Sequence, residues 1–114
     1  MSLNSFFPST LKSGIYLITC IPFNKHYVGL SATVTRRLNA HKSCLKRDCH
    51  PCAQLQEDYR RYGSENFMFQ KLLLGAGLDK SKLEILETSI LLTLPPERRY
   101  NVYTNWRKRP SELN

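Results

Sequence analysis

Two tripeptides carry the first candidates for chemistry: Gly14-Ile15-Tyr16 and Tyr27-Val28-Gly29, with ten residues between their tyrosines. Two phenols in a small basic domain suggest work on a phosphodiester. Four residues apart, one helical turn, Arg37 and His41 then offer a guanidinium and an imidazole to the same spot. Arginine's planar fork suits phosphate oxygens and its charge is permanent. Histidine titrates near neutrality. The plainer alternative for this pair is a half-buried core histidine beside a solvated arginine.

A carboxylate completes the candidate set. With Leu83, Leu86, Ile90 and Leu94 taken as the inward stripe of a late helix, Glu87 falls between Leu91 and Leu94 on the wheel, while Glu84 reads as a solvated rim residue. A carboxylate bordered by leucines is costly unless it is paired, protonated or metal-bound. Glu87 therefore suits either a hard divalent cation, which prefers oxygen ligands, or a buried ion pair with an arginine. Cys44, Cys49 and Cys52, with His50 or His41, match a Cys₃His structural Zn²⁺ site only loosely. Trp106 stands among cations in Asn105-Trp106-Arg107-Lys108-Arg109, where it can stack on a base or pin the tail to the domain.

The elements that must position these groups follow from pattern. Ser13–Cys20 and His26–Leu30 read as strands, joined through a turn containing Pro22 and Asn24. Thr33 or Thr35 can cap a helix running to about Lys46, with Val34, Leu38 and Leu45 inward and Lys42, Lys46 and Arg47 elsewhere. A second helix is expected to start near Cys49-His50-Pro51, to bury Leu55, Tyr59 and Tyr62, and to end at Gly63. Asn66–Leu74 is an apolar strand, broken by Gly75 and Gly77. Asp79 or Ser81 can start a third helix, stopped by Pro95-Pro96. The order β-β-α-α-β-α predicts an α+β fold: a small three-stranded antiparallel sheet flanked by helices. Residues 1–12 form an arm, 13–104 the domain and 105–114 a basic tail.

At 114 residues the chain supports one modest core. Lys and Arg total 17 against 9 acids, a net charge of +8 that suits a polyanion such as nucleic acid. No apolar run approaches the ~20 residues that span a bilayer. The segment before Ser13 has no basic start followed by an apolar stretch, so the expectation is an intracellular protein, in cytoplasm or organelle, with reduced thiols and no membrane partner.

The chain resembles the catalytic domain of the GIY-YIG nuclease family. The resemblance rests on Gly14-Ile15-Tyr16, Tyr27-Val28-Gly29, Arg37 and His41 on the next helix, Glu87 on the late helix and Asn101 after Tyr100. The stretch from Cys49-His50 through Leu55-Gln56 to Gly63 is similar to the phage intron-encoded homing endonucleases of this family. The resemblance implies metal-dependent hydrolysis of DNA, with Glu87 coordinating Mg²⁺ or Mn²⁺ and Arg37 stabilising charge on the phosphate. Tyr16 would position or deprotonate the attacking water, Tyr27 and His41 would support that network, and Asn101 would orient neighbouring groups. Gly29 would let backbone approach substrate or helix. Lys42, Lys46, Arg47, Trp106, Arg107, Lys108 and Arg109 are the expected DNA-tracking residues. Selectivity would come from a homodimer or from a separate DNA-binding partner or domain. The alternatives are an inactive nucleic-acid-binding module of the same fold, or a restriction or repair nuclease.

The identity of the general base stays open. A phenol near pKa 10 must fall by ~3 pH units to act at neutrality, a differential stabilisation of ~4 kcal/mol. On ordinary pKa values alone, His41 is the cheaper proton acceptor.

Overall fold

The computed structural model describes residues 12–75 and 79–100. Three strands, β1 (Ser13–Cys20), β2 (Lys25–Ser31) and β3 (Phe67–Gly75), and three helices, α1 (Val34–Lys46), α2 (Ala53–Tyr62) and α3 (Lys80–Thr93), follow in the predicted order β-β-α-α-β-α. The sheet is antiparallel with order β2-β1-β3. The link between β1 and β2 is a single 3-10 turn, Ile21–Phe23, started by Pro22 and closed by Asn24 in the left-handed region (φ 49°). That turn fixes the β1–β2 register, and Tyr16 pairs directly with Gly29.

Being central, β1 is covered on both sides, which explains why its burial is nearly continuous and does not alternate. Tyr16, Ile18 and Cys20 face one core with Val34, Leu38 and Leu45 of α1, Leu55 of α2, Phe67 and Tyr100. Ile15 and Val28 face a second, smaller core with Leu83 and Leu91 of α3. Helices α1 and α2 therefore lie over one face of the sheet and α3 over the other. Between Ile15 and Tyr16 the pairing with β3 slips by one residue, Ile15 opposing Leu73 and Tyr16 opposing Lys71. The extra residue, Leu72, makes a bulge beside Tyr16, where it bends the ladder.

Two expectations are corrected. Helix α2 begins at Ala53, not near Cys49, because Asp48 turns the chain left-handed (φ 58°) and residues 48–52 fold back on the end of α1 as a loop. In α3 the buried arc is Leu83, Glu84, Glu87 and Leu91, so Glu84 is no rim residue and Leu86, 40% exposed, is not on the inward stripe. The helix is apolar on almost every side, and its own wheel does not choose a face. Asp79 does start α3, its carboxylate accepting from the Ser81 amide at 3.0 Å. Thr33 takes the position before α1 without a side-chain cap. Gly77 and the residues beyond Tyr100, including the basic tail, lie outside the described residues.

Candidate active site

Tyr16 is 3% exposed, and its ring lies across Gly29 on the neighbouring strand. A β-carbon at position 29 would sit 2.2 Å from Cζ and Oη of that ring. The partner that needs Gly29 is thus Tyr16 itself, a more local reason than approach to substrate or helix. The phenol ends against α1: Tyr16 Oη and His41 Nε2 are 2.8 Å apart. The other nitrogen of His41, Nδ1, is 2.7 Å from Nε2 of His50, and the two imidazoles lie edge to edge with centroids 4.9 Å apart and planes 28° apart. Tyr27 presents its ring edge-to-face to both imidazoles, at 5.4 and 5.9 Å. Tyr16, Tyr27 and His41 therefore meet as expected, and His50 joins them.

Sequence reasoning weighed His50 only as a zinc ligand. It reaches the cluster because the 48–52 loop is tied down from below. The His50 amide donates to Gln56 Oε1 at 2.9 Å, and Gln56 Nε2 donates to the Leu45 carbonyl at 3.1 Å. Gln56 is buried and bridges α1, α2 and the loop in one side chain. Replacing it by leucine strands a buried N–H and a buried C=O, so Gln56→Leu is expected to cost ~2–3 kcal/mol in chemical denaturation. A change below about 0.5 kcal/mol would mean the loop holds without it. Loop similarity from Cys49 to Gln56 was the only signal available, and it assigned no role.

Both nitrogens of His50 are engaged, Nε2 with His41 and Nδ1 with the Cys52 amide at 3.0 Å. That leaves none for zinc, and no group of three or more His, Cys, Asp or Glu among the described residues is placed to hold a metal ion. The loosely matching Cys₃His set is thus not assembled among the described residues. Cys20 is buried, and none of the four cysteines is disulfide-bonded.

Electrostatics link the cluster to the two remaining candidates. Burial pushes the Tyr16 phenol well above its usual value, Tyr27 adds to this, Arg37 opposes it and Glu87 reinforces it. The fields of Arg37, on α1, and Glu87, on the α3 side of the sheet, thus converge on one phenol. Arg37 is exposed, whereas Glu87 is 6% exposed. His41 is pushed down to about 4, chiefly by burial, then by His50 and Arg37. Ordinary pKa values made His41 the cheaper base; in the folded chain it has become a poor one.

The His41 shift has a consequence for stability. An unfolded histidine takes up its proton near 6.5 and folded His41 only near 4, so between those values the unfolded state binds more protons. Stability conferred by His41 is complete above pH 6.5 and is lost as pH falls toward 4. Urea unfolding of wild type and His41→Gln should therefore show a gap that narrows through that window. A constant gap would mean that His41 takes up its proton at the same pH in the folded and the unfolded chain.

Tyr100 closes the far side. It is buried, its amide donates to the His26 carbonyl at 2.7 Å and its hydroxyl donates to Asp58 Oδ2 at 2.7 Å. Asn101, next in the chain, lies outside the described residues, as do Trp106, Arg107, Lys108 and Arg109. Lys42, Lys46 and Arg47 are exposed along α1 and just after it, with Lys42 Nζ 5.1 Å from the centre of the Phe69 ring.

A three-stranded sheet of this order, with two tyrosines from its central hairpin meeting a histidine on the following helix, defines a GIY-YIG-type catalytic domain. The family profile described as the GIY-YIG catalytic domain matches residues 12–101, and the chain belongs to the GIY-YIG nuclease family. Among solved structures, the chain is similar to the catalytic domain of homing endonuclease I-TevI, at 27% identity and a TM-score of 0.71, over 81% of this chain and 99% of that one. A point mutant of the catalytic domain of intron endonuclease I-TevI aligns equally well, at 26% identity and a TM-score of 0.70, over 82% and 95% of the two chains. No curated protein sequence matches. No helix among the described residues is long and apolar enough to cross a membrane.

Proposed function

We propose that this domain hydrolyses DNA phosphodiester bonds with the help of one divalent cation, Mg²⁺ or Mn²⁺. The observation that carries the reading is a buried phenol bonded to an imidazole pair, with the fields of the Arg37 guanidinium and the buried Glu87 carboxylate both acting on it. Glu87 fits such a cation. Magnesium keeps most of its water and is commonly held by one or two carboxylates together with substrate phosphate oxygens, so a dense ligand cage is not needed. When bound there, the cation would neutralise charge on the phosphate under attack and lower the cost of ionising Tyr16.

The protein's own groups divide the remaining work. Arg37, permanently charged and exposed, binds phosphate oxygens and stabilises charge as the bond breaks. Tyr16 holds the attacking water through its hydroxyl. Its raised pKa keeps it protonated in the cation-free domain, so its activation depends on positive charge arriving with substrate. Tyr27 shields the imidazole pair from bulk water. Asn101 orients neighbouring groups. Lys42, Lys46 and Arg47, with the tail cations, track the backbone of a DNA substrate.

Conversion of supercoiled plasmid to open-circular or linear DNA is the direct test. Cleavage with Mg²⁺ or Mn²⁺ that stops on adding EDTA is expected. DNA binding with no cleavage under either cation would overturn the reading in favour of a binding module.

A further inference from the structure

The Cys52 amide, His50, His41 and Tyr16 form a chain of three hydrogen bonds, and its direction is set at the end farthest from the phenol. A backbone N–H can only donate. Because the Cys52 amide lies 3.0 Å from His50 Nδ1, that nitrogen must accept. In a neutral ring the proton then resides on Nε2. His50 Nε2 is 2.7 Å from His41 Nδ1 and so donates to it. His41 Nδ1 is thereby an acceptor, its proton sits on Nε2, and Nε2 is 2.8 Å from the Tyr16 oxygen.

We infer that His50 is a positioning residue that passes the polarity of the Cys52 amide through His41, so that His41 donates to the Tyr16 oxygen and does not accept its proton. The reverse order would set a protonated His50 Nδ1 against the Cys52 N–H, two donors facing each other across a part-buried contact. Burial keeps both rings neutral at pH 7, with His41 pushed down to about 4 and His50 also lowered. The Tyr16 oxygen thus receives one hydrogen bond, and its own O–H is left to donate to an incoming water or phosphate oxygen. Any phenolate formed there meets a fixed N–H donor, which favours the ionised form. His41 in this arrangement stabilises charge on Tyr16 instead of removing its proton.

The loop is built to hold this direction. His50 is 7% exposed, edge to edge with His41 and edge-on to Tyr27, with its own amide bound by Gln56. His26, whose Nδ1 lies 2.8 Å from Thr19 Oγ1 away from the cluster, provides an internal reference.

The ring orientation stands independently of the proposed chemistry; only its consequence for cleavage rests on that reading. The test is long-range ¹H–¹⁵N correlation spectroscopy of the cation-free protein near pH 7.5. Both His41 and His50 should show a protonated Nε2 and an unprotonated Nδ1. A proton on Nδ1 of His41 overturns the inference whether or not the protein cleaves DNA. In His50→Gln the side-chain amide can donate to His41 from nearly the same place, and the His41 tautomer should persist. In His50→Leu it should relax to a mixture. Where the wild type nicks plasmid, His50→Leu should lose about ten- to a hundredfold, the usual cost of removing a partner that orients a functional imidazole, and His50→Gln should recover most of it. Equal losses in both variants, with the His41 tautomer unchanged, would reduce His50 to a space-filling role.

Discussion

Glu87→Gln is expected to lower plasmid nicking by ~10³-fold or more, because the substitution removes the negative charge that holds the proposed cation while keeping the shape of the side chain. Glu87 is 6% exposed on the arc of α3 that faces the sheet, beside Leu83 and Leu91. Its carboxylate nonetheless acts on Tyr16, which belongs to the core on the other face. Two further readouts separate loss of the cation from loss of the fold. Mn²⁺ binding, followed by electron paramagnetic resonance, should weaken in the variant. Retention of DNA in a gel shift should be nearly unchanged, since the exposed cations of α1 remain. Replacing a buried charge by a neutral isostere is often neutral or mildly stabilising, so the melting temperature should not fall greatly. Nicking within threefold of wild type, on the order of the noise in such assays, would remove Glu87 from the site.

The wheel of α3 put Glu87 on the buried side, where it lies at 6% exposure, but did not settle the rest of that face. Seven large apolar residues between Leu83 and Leu94 surround α3; of the expected stripe Leu83, Leu86, Ile90 and Leu94 only Leu86 turns outward, and Leu91 takes its place in the core. The sheet decides the face, and the sheet is not visible in the helix. Glu84 is the clearest casualty, buried where a solvated rim was expected. By contrast, β1 was readable to its exact ends, since β-branched and aromatic residues run up to a Pro22–Asn24 turn that admits one geometry. Arg37 and His41 were readable because helical spacing alone brings them to one edge.

His50 was beyond such reasoning. Its place depends on a left-handed Asp48, on a buried glutamine six residues downstream and on a backbone amide two residues away. None of these has a periodic signature. The same contrast explains why the two tyrosines were recognisable while their chemistry was not. Strand alternation places a phenol on a face, but the proton's position is set by a hydrogen-bond chain reaching through a loop.

Gly29→Ala is expected to lower nicking by about 10²-fold or more, by moving the phenol from the place where it holds the attacking water. The backbone at Gly29 is ordinary extended strand, so the effect is one of space. The new β-carbon would lie 2.2 Å from Cζ and Oη of Tyr16, and the ring must leave its position over β2. That ring is buried and is fixed at 2.8 Å from His41, so it cannot retreat without breaking this bond. Loss of the His41 Nε2 proton's protected signal in the variant would show the displacement directly. Gly63→Ala is the matched control: Gly63 sits at φ +86° after α2, so alanine there is strained and should cost ~1 kcal/mol of stability while leaving nicking at 25 °C nearly intact. A double substitution sharpens the point. Once Tyr16 is replaced by leucine, Gly29→Ala should cost almost nothing further, since residues in direct contact couple strongly. Additive losses would instead mean that Gly29 serves substrate or backbone, not the Tyr16 ring.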